Sequence, residues 1–225
     1  MKYSQKDVPK RLYRIVNYLF GINLYYGKWF GLFLYNTDFI IKFIVIWLKN
    51  FFICGPLFKA RCKTIGKNLR LWGRLPWISG VVEIDVGDNL EIFDKISIVS
   101  SLSGPSPKLL IGNNVSIGGG VTFYLSKSIK IGDRVMIGNN CCFYDNDSHP
   151  IKMAERQAGE KVSKDNIKPV IIEDDVWIGF NSIVLKGVTI GRGSIVSAGS
   201  VVRRSIPPNT IVAGNPARPT LKIEE

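Results

Sequence analysis

The feature that most constrains this chain is an aliphatic repeat with a period of six residues. From residue 172 onward the repeated positions are Ile172, Ile178, Val184, Ile190, Val196 and Val202. A small or branched residue stands four positions after each of the first five: Val176, Ser182, Val188, Ser194 and Ser200. A six-residue period fits neither an amphipathic helix nor a long alternating strand. It fits short strands that meet at corners, so that three faces close one coil of about eighteen residues.

The same pattern occurs earlier in the chain. Its inward positions there are Ile65, Leu71, Trp77, Val86, Ile92, Ile98, Ile111, Ile117, Phe123, Ile131, Ile137 and Phe143. Stacked coils of this kind bury one continuous core. The repeat therefore predicts an all-β fold, a parallel β-helix. A β-sandwich with coincidental spacing is the alternative, and six consecutive matches in one register argue against it.

The repeat breaks once, over residues 145–169, where the chain is polar and carries no inward aliphatic at the proper interval. An insertion of this length in a regular solenoid is more often functional than accidental. His149, the single histidine of the 225 residues, stands near the start of this segment. We expect an extruded loop whose root presents His149 beside the coils.

Charge divides the chain into two physically different parts. Residues 1–75 contain 14 Lys/Arg and 2 Asp/Glu, whereas residues 76–225 contain 16 of each kind. The formal net charge of +12 therefore lies in the first third, which is also rich in aromatic and aliphatic residues. We predict a helical extension over residues 1–61, a β-helix domain over 62–216 and a tail over 217–225.

The extension has two apolar stretches with helical spacing, residues 8–26 and 29–54. The segment 36–38 and Lys42 interrupt the second stretch with polar and charged side chains. This favours a helix in the interface of a membrane over one that spans it. Packing against the open end of the β-helix, or against a neighbouring subunit, is the alternative. The basic residues are diluted with aromatic ones, which argues against nucleic acid as a partner.

The four cysteines, Cys54, Cys62, Cys141 and Cys142, lack the paired spacing of a disulfide framework or a zinc site. This favours a reducing compartment. No small-residue cleavage site follows the N-terminal region, which argues against a secretory signal. We therefore expect a cytoplasmic protein, peripheral on the cytoplasmic face of the membrane if residues 1–60 contact lipid.

Three stretches between residues 143 and 219 give the chain a family resemblance: "DNDSHP", "PVIIEDDVWIGFNSIVLKGVTIGRGSIVSAGSVV" and "IPPNTIVAGNPARP". They resemble the hexapeptide-repeat acyltransferases with a left-handed β-helix. Within that family, the stretches look like those of O-acetyltransferases related to galactoside, maltose, xenobiotic and polysaccharide acetyltransferases. The resemblance implies a left-handed coil, a homotrimer, and acetyl-CoA as co-substrate between neighbouring β-helices.

In that family the histidine of the D-x-D-x-H-P segment is the general base, which the resemblance places on His149. An imidazole suits the task because its reference pKa, near 6.5, lets it take a proton from a sugar hydroxyl at neutral pH. Asp145 and Asp147 are candidates to orient the imidazole or to bind acceptor hydroxyls. The alternative is that both carboxylates bond to backbone and that backbone carbonyls orient the ring.

The resemblance also assigns a co-substrate site. Trp177 falls beside the acyl-transfer position, and Gly179, Phe180 and Ala198 fall along the pantetheine. Phe180 departs from the small polar residue that relatives carry there, which leaves only a backbone contact. The adenosine phosphates would meet basic side chains, for which the candidates are Arg203, Arg204, Arg218 and Lys222. Arginine suits this role because its planar fork grips phosphate oxygens in pairs.

The function expected from this resemblance is transfer of an acetyl group to a hydroxyl of a carbohydrate, such as a surface-polysaccharide precursor or a glycolipid. Acetylation of an antibiotic, an amino acid or a sugar amine is an alternative, as is a non-catalytic β-helix scaffold. A zinc-dependent, carbonic-anhydrase-like relative would need several histidines, and this chain has one. No metal is therefore expected.

Overall fold

The structure is a computed structural model that describes residues 14, 18, 27–100 and 106–224. The chain divides into two compact units, residues 1–44 and 45–225. The helix predicted over residues 8–26 lies outside the described residues, apart from positions 14 and 18.

A continuous helical stretch opens the described chain. It consists of α1 (Lys28–Lys49), a π-helical turn (Asn50–Cys54) and α2 (Gly55–Arg61). Within the described residues, this is the one helical stretch that is long and apolar enough to cross a membrane. It ends at Cys62, whose backbone is extended.

Twenty short strands follow within the described part of the chain. The first twelve are β1 (Thr64–Ile65), β2 (Arg70–Leu71), β3 (Trp77–Ser79), β4 (Glu83–Val86), β5 (Glu91–Ile92), β6 (Ser97–Ser100), β7 (Lys108–Ile111), β8 (Ser116–Ile117), β9 (Thr122–Leu125), β10 (Ser128–Ile131), β11 (Met136–Ile137) and β12 (Cys142–Tyr144). The remaining eight are β13 (Val170–Ile172), β14 (Trp177–Ile178), β15 (Ile183–Val184), β16 (Thr189–Ile190), β17 (Ile195–Val196), β18 (Val201–Val202), β19 (Thr210–Ala213) and β20 (Arg218–Lys222).

From β1 to β18, every third strand joins the same sheet, which is the topology of a β-helix. Sheet A has the order β1-β4-β7-β10-β13-β16, sheet B the order β2-β5-β8-β11-β14-β17-β19-β20, and sheet C the order β3-β6-β9-β12-β15-β18. All pairings are parallel except β19 with β20, where the chain folds back. The described strands form about six coils, and the predicted β-helix of hexapeptide repeats with an N-terminal helix is confirmed.

The inward ladder forms the core as predicted. Its six aliphatic residues from Ile172 to Val202 are at most 1% exposed, and Phe123 and Phe143 stack inside with ring centroids 5.1 Å apart. The prediction for Trp77 was wrong, since this side chain points outward and is 51% exposed. Ile78 pairs with Ile98 in its place, because the turn after β2 is one residue longer than the repeat requires.

The last helical turns close the open end of the first coil. Cys54 and Phe58 are 1% exposed and belong to the same apolar core as the coils. The Asn50 amide donates to the carbonyl oxygen of Leu71, and the Arg61 guanidinium donates to that of Gly80 at 3.2 Å. For residues 50–61, the alternative of packing on the β-helix is therefore correct.

Basic residues of the first coil pair with acidic residues of the second. The pairs are Lys63–Glu83 at 2.7 Å, Arg70–Glu91 at 2.6 Å and Arg74–Asp94 at 2.8 Å. The Lys63 ammonium lowers the pKa of Glu83, and the Arg74 guanidinium lowers that of Asp94. Part of the positive charge of the N-terminal third is thus matched by the next coil.

Candidate active site

The break in the repeat is an extruded segment between β12 and β13, residues 145–169. It contains a short helix, α3 (Met153–Gln157), and a 3-10 turn (Lys164–Asn166). The backbone N–H of Lys168 donates to the carbonyl oxygen of Asp145 at 2.8 Å, so the two ends of the segment meet. This hydrogen bond between the two ends of the segment fixes the position of its first residues.

Asp145 fixes this root and has no access to solvent. Its carboxylate accepts hydrogen bonds from the backbone N–H groups of Ser126 and Lys127, at 2.7 and 2.6 Å, and from the Asn146 amide at 2.8 Å. Burial raises the pKa of this carboxyl, and the hydrogen bonds oppose that shift. Of the two roles that the sequence left open for Asp145, the contacts support the bonding of backbone, because a carboxylate enclosed in this way does not reach a substrate.

His149 leaves a tight turn built by the three residues before it. The N–H of Ser148 donates to the Asn146 side-chain oxygen at 2.6 Å, and Ser148 adopts a left-handed conformation with φ of 63°. The N–H of His149 donates to the carbonyl oxygen of Asp147 at 2.7 Å, which orients the backbone from which the imidazole projects. The His149 side chain is exposed. The turn therefore presents the imidazole to a ligand that approaches from outside.

A side-chain contact of Asp147 also stabilises this turn. Its carboxylate forms an ion pair with Lys186, which stands in the corner after β15, and both side chains are partly buried. From the sequence, Asp147 could orient the imidazole, bind acceptor hydroxyls or bond to backbone. In the structure its carboxylate pairs with Lys186 instead. Lys186 was not predicted, since it lies 39 residues away in the chain and only the coiling brings it near.

The residues predicted beside the acyl-transfer position and along the pantetheine start at strands of sheet B. They are called the Trp177 group and consist of Trp177, Gly179, Phe180 and Ala198. Trp177 is 49% exposed and Phe180 58% exposed, and Ala198 is exposed one coil further on. Gly179 lies against Ala198 so closely that a Cβ on it would stand 2.5 Å from the Ala198 nitrogen. The glycine is thus required by coil stacking, and its neighbours offer an open outer surface.

His149 and the Trp177 group lie on different sheets of one chain. His149 follows β12 of sheet C, whereas Trp177 begins β14 of sheet B. A cavity of about 480 Å³ lies over sheet A, lined by Asp85, Asn113 and Asp133 among others, and none of the predicted site residues lines it. Within one chain, the His149 turn and the Trp177 group therefore start from different faces of the β-helix.

Comparison with known proteins identifies the family of this chain. Residues 108–142 and 169–204 match the model of the hexapeptide repeat of succinyl-transferase. The chain is 30% identical over 169 residues to galactoside O-acetyltransferase of Escherichia coli K12, covering 75% of this chain and 68% of that protein. The chain belongs to the hexapeptide-repeat acetyltransferases. A second galactoside O-acetyltransferase, from Lactococcus lactis, is 36% identical over 120 residues, which cover 51% of this chain and 56% of the relative.

A solved member of this family was crystallised with acetyl-CoA. It is a hexapeptide-repeat acetyltransferase from Vibrio cholerae O1 biovar eltor, 30% identical in sequence, with a TM-score of 0.52 over 76% of each chain. Other curated relatives are matched over about half of their own length.

The described residues fit the acetyl-CoA of this hexapeptide-repeat family. Ala198 is small enough for a chain to approach its backbone, and Arg203 and Arg204 follow β18 with exposed side chains. Arg218 and Lys222 bound β20 and are also exposed. Within the part of the chain that the structure describes, Arg203, Arg204 and Arg218 form no ion pair, so no carboxylate competes with phosphate oxygens for their charge. The Arg218 guanidinium also donates to the carbonyl oxygen of Ala217 at 3.0 Å.

Two tyrosines beside the extruded segment were also missed. Tyr124 and Tyr144 stack on the outer face of sheet C, with ring centroids 4.5 Å apart and planes at 5°. Burial raises the pKa of Tyr144 to about 12, so its hydroxyl is neutral at ordinary pH. The alternation of inward and outward residues on β9 and β12 could have revealed the pair, since Phe123 and Phe143 are the inward neighbours.

Proposed function

We propose that the protein is an acetyl-CoA-dependent O-acetyltransferase that acts on a carbohydrate hydroxyl, such as one of a surface-polysaccharide precursor or a glycolipid. The observation that carries this is the exposed imidazole of His149, held on a pinned turn in a member of an acetyltransferase family. The relatives from E. coli and L. lactis are by name galactoside O-acetyltransferases, which supports a sugar acceptor.

In the proposed reaction His149 acts as general base. An imidazole nitrogen removes the proton from the acceptor hydroxyl while its oxygen attacks the thioester carbonyl carbon. The carbon–sulfur bond then breaks, and the imidazolium returns the proton to the departing sulfur. Atoms and charges balance without any covalent acyl-enzyme.

The cysteines support direct transfer over a thiol nucleophile. Cys141 has no access to solvent, and burial raises the pKa of its thiol to about 11. Burial also raises the pKa of Cys142. A thiol that stays protonated at neutral pH is a poor nucleophile.

The proposed site lies between copies of the chain in a homotrimer. His149 of one copy and the Trp177 group of another would meet across the contact, because the two sets occupy different sheets of one chain. Acetyl-CoA would then lie along Gly179, Phe180 and Ala198, with its phosphates on the arginines.

The test of this function is a screen of acceptors scored by release of the CoA thiol. The purified full chain is given acetyl-CoA with galactosides, maltose, amino sugars, serine and chloramphenicol in parallel. Thiol release with a hydroxyl sugar supports the proposal. Release only with the amine, serine or the antibiotic, or with none, contradicts it.

Lys186 is expected to be a positioning residue for His149. In Lys186→Met the Asp147 carboxylate loses its partner, the turn loosens, and kcat should fall about tenfold or more, since small misplacements of a reacting group are costly. The KM for acetyl-CoA should stay unchanged, and Lys186→Arg should recover most of the rate. Steady-state kinetics on the best acceptor of the screen measures both values.

Lys152→Met serves as the matched control, because Lys152 belongs to the same extruded segment and pairs with Glu155 at 2.9 Å on the surface. Its kinetics should equal those of the parent. An equal loss in both lysine variants, or no recovery with arginine, would show that Lys186 does not position the turn.

A further inference from the structure

α1 is apolar on nearly all sides, and none of its residues from Lys28 to Lys49 is buried within the described protein. Its exposed large side chains include Trp29, Phe30, Leu32, Phe33, Leu34, Phe39, Ile40, Ile41, Phe43, Ile44, Val45, Ile46, Trp47 and Leu48. The charged residues Asp38, Lys42 and Lys49 share one side, which covers roughly a quarter of the circumference. Asn36 and Thr37 are the polar residues on the other sides. A helix lying flat in a membrane interface immerses about half of its surface. That orientation would leave many of these side chains in water.

Three of the polar side chains inside α1, those of Thr37, Asp38 and Lys42, are bonded within the helix itself. The Thr37 hydroxyl donates to the carbonyl oxygen of Phe33 at 2.8 Å, and the Lys42 ammonium pairs with the Asp38 carboxylate at 2.6 Å. The helix is continuous through residues 36–38, the polar residues that interrupt its apolar run. Internal satisfaction of polar groups is what a hydrocarbon environment requires.

The dimensions of α1 match a bilayer. At about 1.5 Å per residue, Trp29 and Trp47 stand roughly 27 Å apart along the axis, close to the hydrocarbon thickness of about 30 Å. Tryptophan favours the two membrane–water interfaces. Lys28 and Lys49 lie immediately outside these residues, at the level of the polar headgroups.

We propose that α1 crosses a lipid bilayer, with Trp29 and Trp47 at its two surfaces and the Asp38–Lys42 pair inside. This differs from the interface helix that the sequence favoured, and it does not depend on the acetyl transfer. The π-helical turn and α2 follow without a linker, and Cys54 and Phe58 belong to the core of the β-helix.

A depth scan distinguishes a spanning helix from a flat one. Residues 39–41 and 43–46 are replaced one at a time by cysteine, spin-labelled, and studied in the full chain in phosphatidylethanolamine–phosphatidylglycerol vesicles. Cys62→Ser and Cys142→Ser remove the partly exposed native thiols, while Cys54 and Cys141 are buried. The ratio of each label's collision rate with oxygen to its rate with a polar nickel chelate reports its depth in the bilayer. This ratio should be high at every position and fall only toward Trp47. An oscillation with a period of 3.6 residues would overturn the proposal in favour of an interface helix. Labels that neither oxygen nor the nickel chelate reaches would overturn it in favour of protein contact, and labels that the chelate reaches throughout would place the helix in water.

The ion pair supplies a second test. Asp38→Leu or Lys42→Leu alone leaves one unpaired charge inside the bilayer and should lower the ratio of inserted to uninserted protein about tenfold. The double variant removes both charges and should insert at least as well as the parent. Protein that resists extraction by alkaline carbonate measures the inserted fraction. Equal insertion of both single variants and the parent, or no recovery in the double variant, would contradict a spanning helix.

Discussion

His149→Ala should lower the turnover of acetyl transfer at least about 10²-fold, because acid–base assistance of this kind contributes about 10²–10⁴-fold. No second histidine exists in the chain to take over the proton. The substitution removes a side chain whose backbone is held by other residues, Asn146 and Asp147 among them. We therefore expect the fold, and the binding of CoA, to be unaffected.

Two measurements test this prediction, one of turnover and one of CoA binding. Steady-state thiol release gives kcat for the parent and the variant, and isothermal titration with CoA gives binding to each. A fall in kcat with unchanged CoA affinity assigns the loss to the chemical step. Equal turnover in the two proteins would remove His149 from the role of base.

Phe143→Ala should lower the free energy of unfolding by about 3–5 kcal/mol, the usual cost of removing a fully buried phenylalanine. Phe143 has no access to solvent and stacks on Phe123 of the coil below. The cavity would open directly under the strand that leads into Asp145 and the His149 turn. Urea unfolding followed by circular dichroism, with a common slope for both proteins, gives the difference.

Phe93→Ala is the matched control, since it deletes the same atoms from a side chain that is 50% exposed. Its effect should stay within about 0.5 kcal/mol, as for most surface substitutions. Similar losses in the two variants would mean that the inward ladder does not carry the stability of the coils.

Much of the fold could be predicted because the repeat is visible in short stretches of the sequence. Each inward aliphatic and its small partner lie within one coil, so a period of six is visible without tertiary information. The first coil shows the limit. A turn one residue longer than the repeat moved Trp77 outward and Ile78 inward, and the lengths of turns do not follow from the ladder.

The candidate site was predictable only where a short motif marks it. His149 stands in such a motif, whereas Lys186 is a single lysine in an ordinary corner of the next coil. Asp145 looked like its neighbour Asp147 in sequence, but one carboxylate is enclosed by backbone N–H groups and the other meets a lysine. Those differences come from stacking between coils.

The segments that cover the two ends of the β-helix have a consequence for assembly. Phe58 and Cys54 plug the first coil, and β20 runs antiparallel along the last strand of sheet B. Solenoids with bare ends tend to stack lengthwise into filaments, since their outermost strands offer unpaired backbone groups. In this molecule the helical terminus is covered, and at the other terminus the edge of sheet B is covered, so lengthwise stacking is disfavoured.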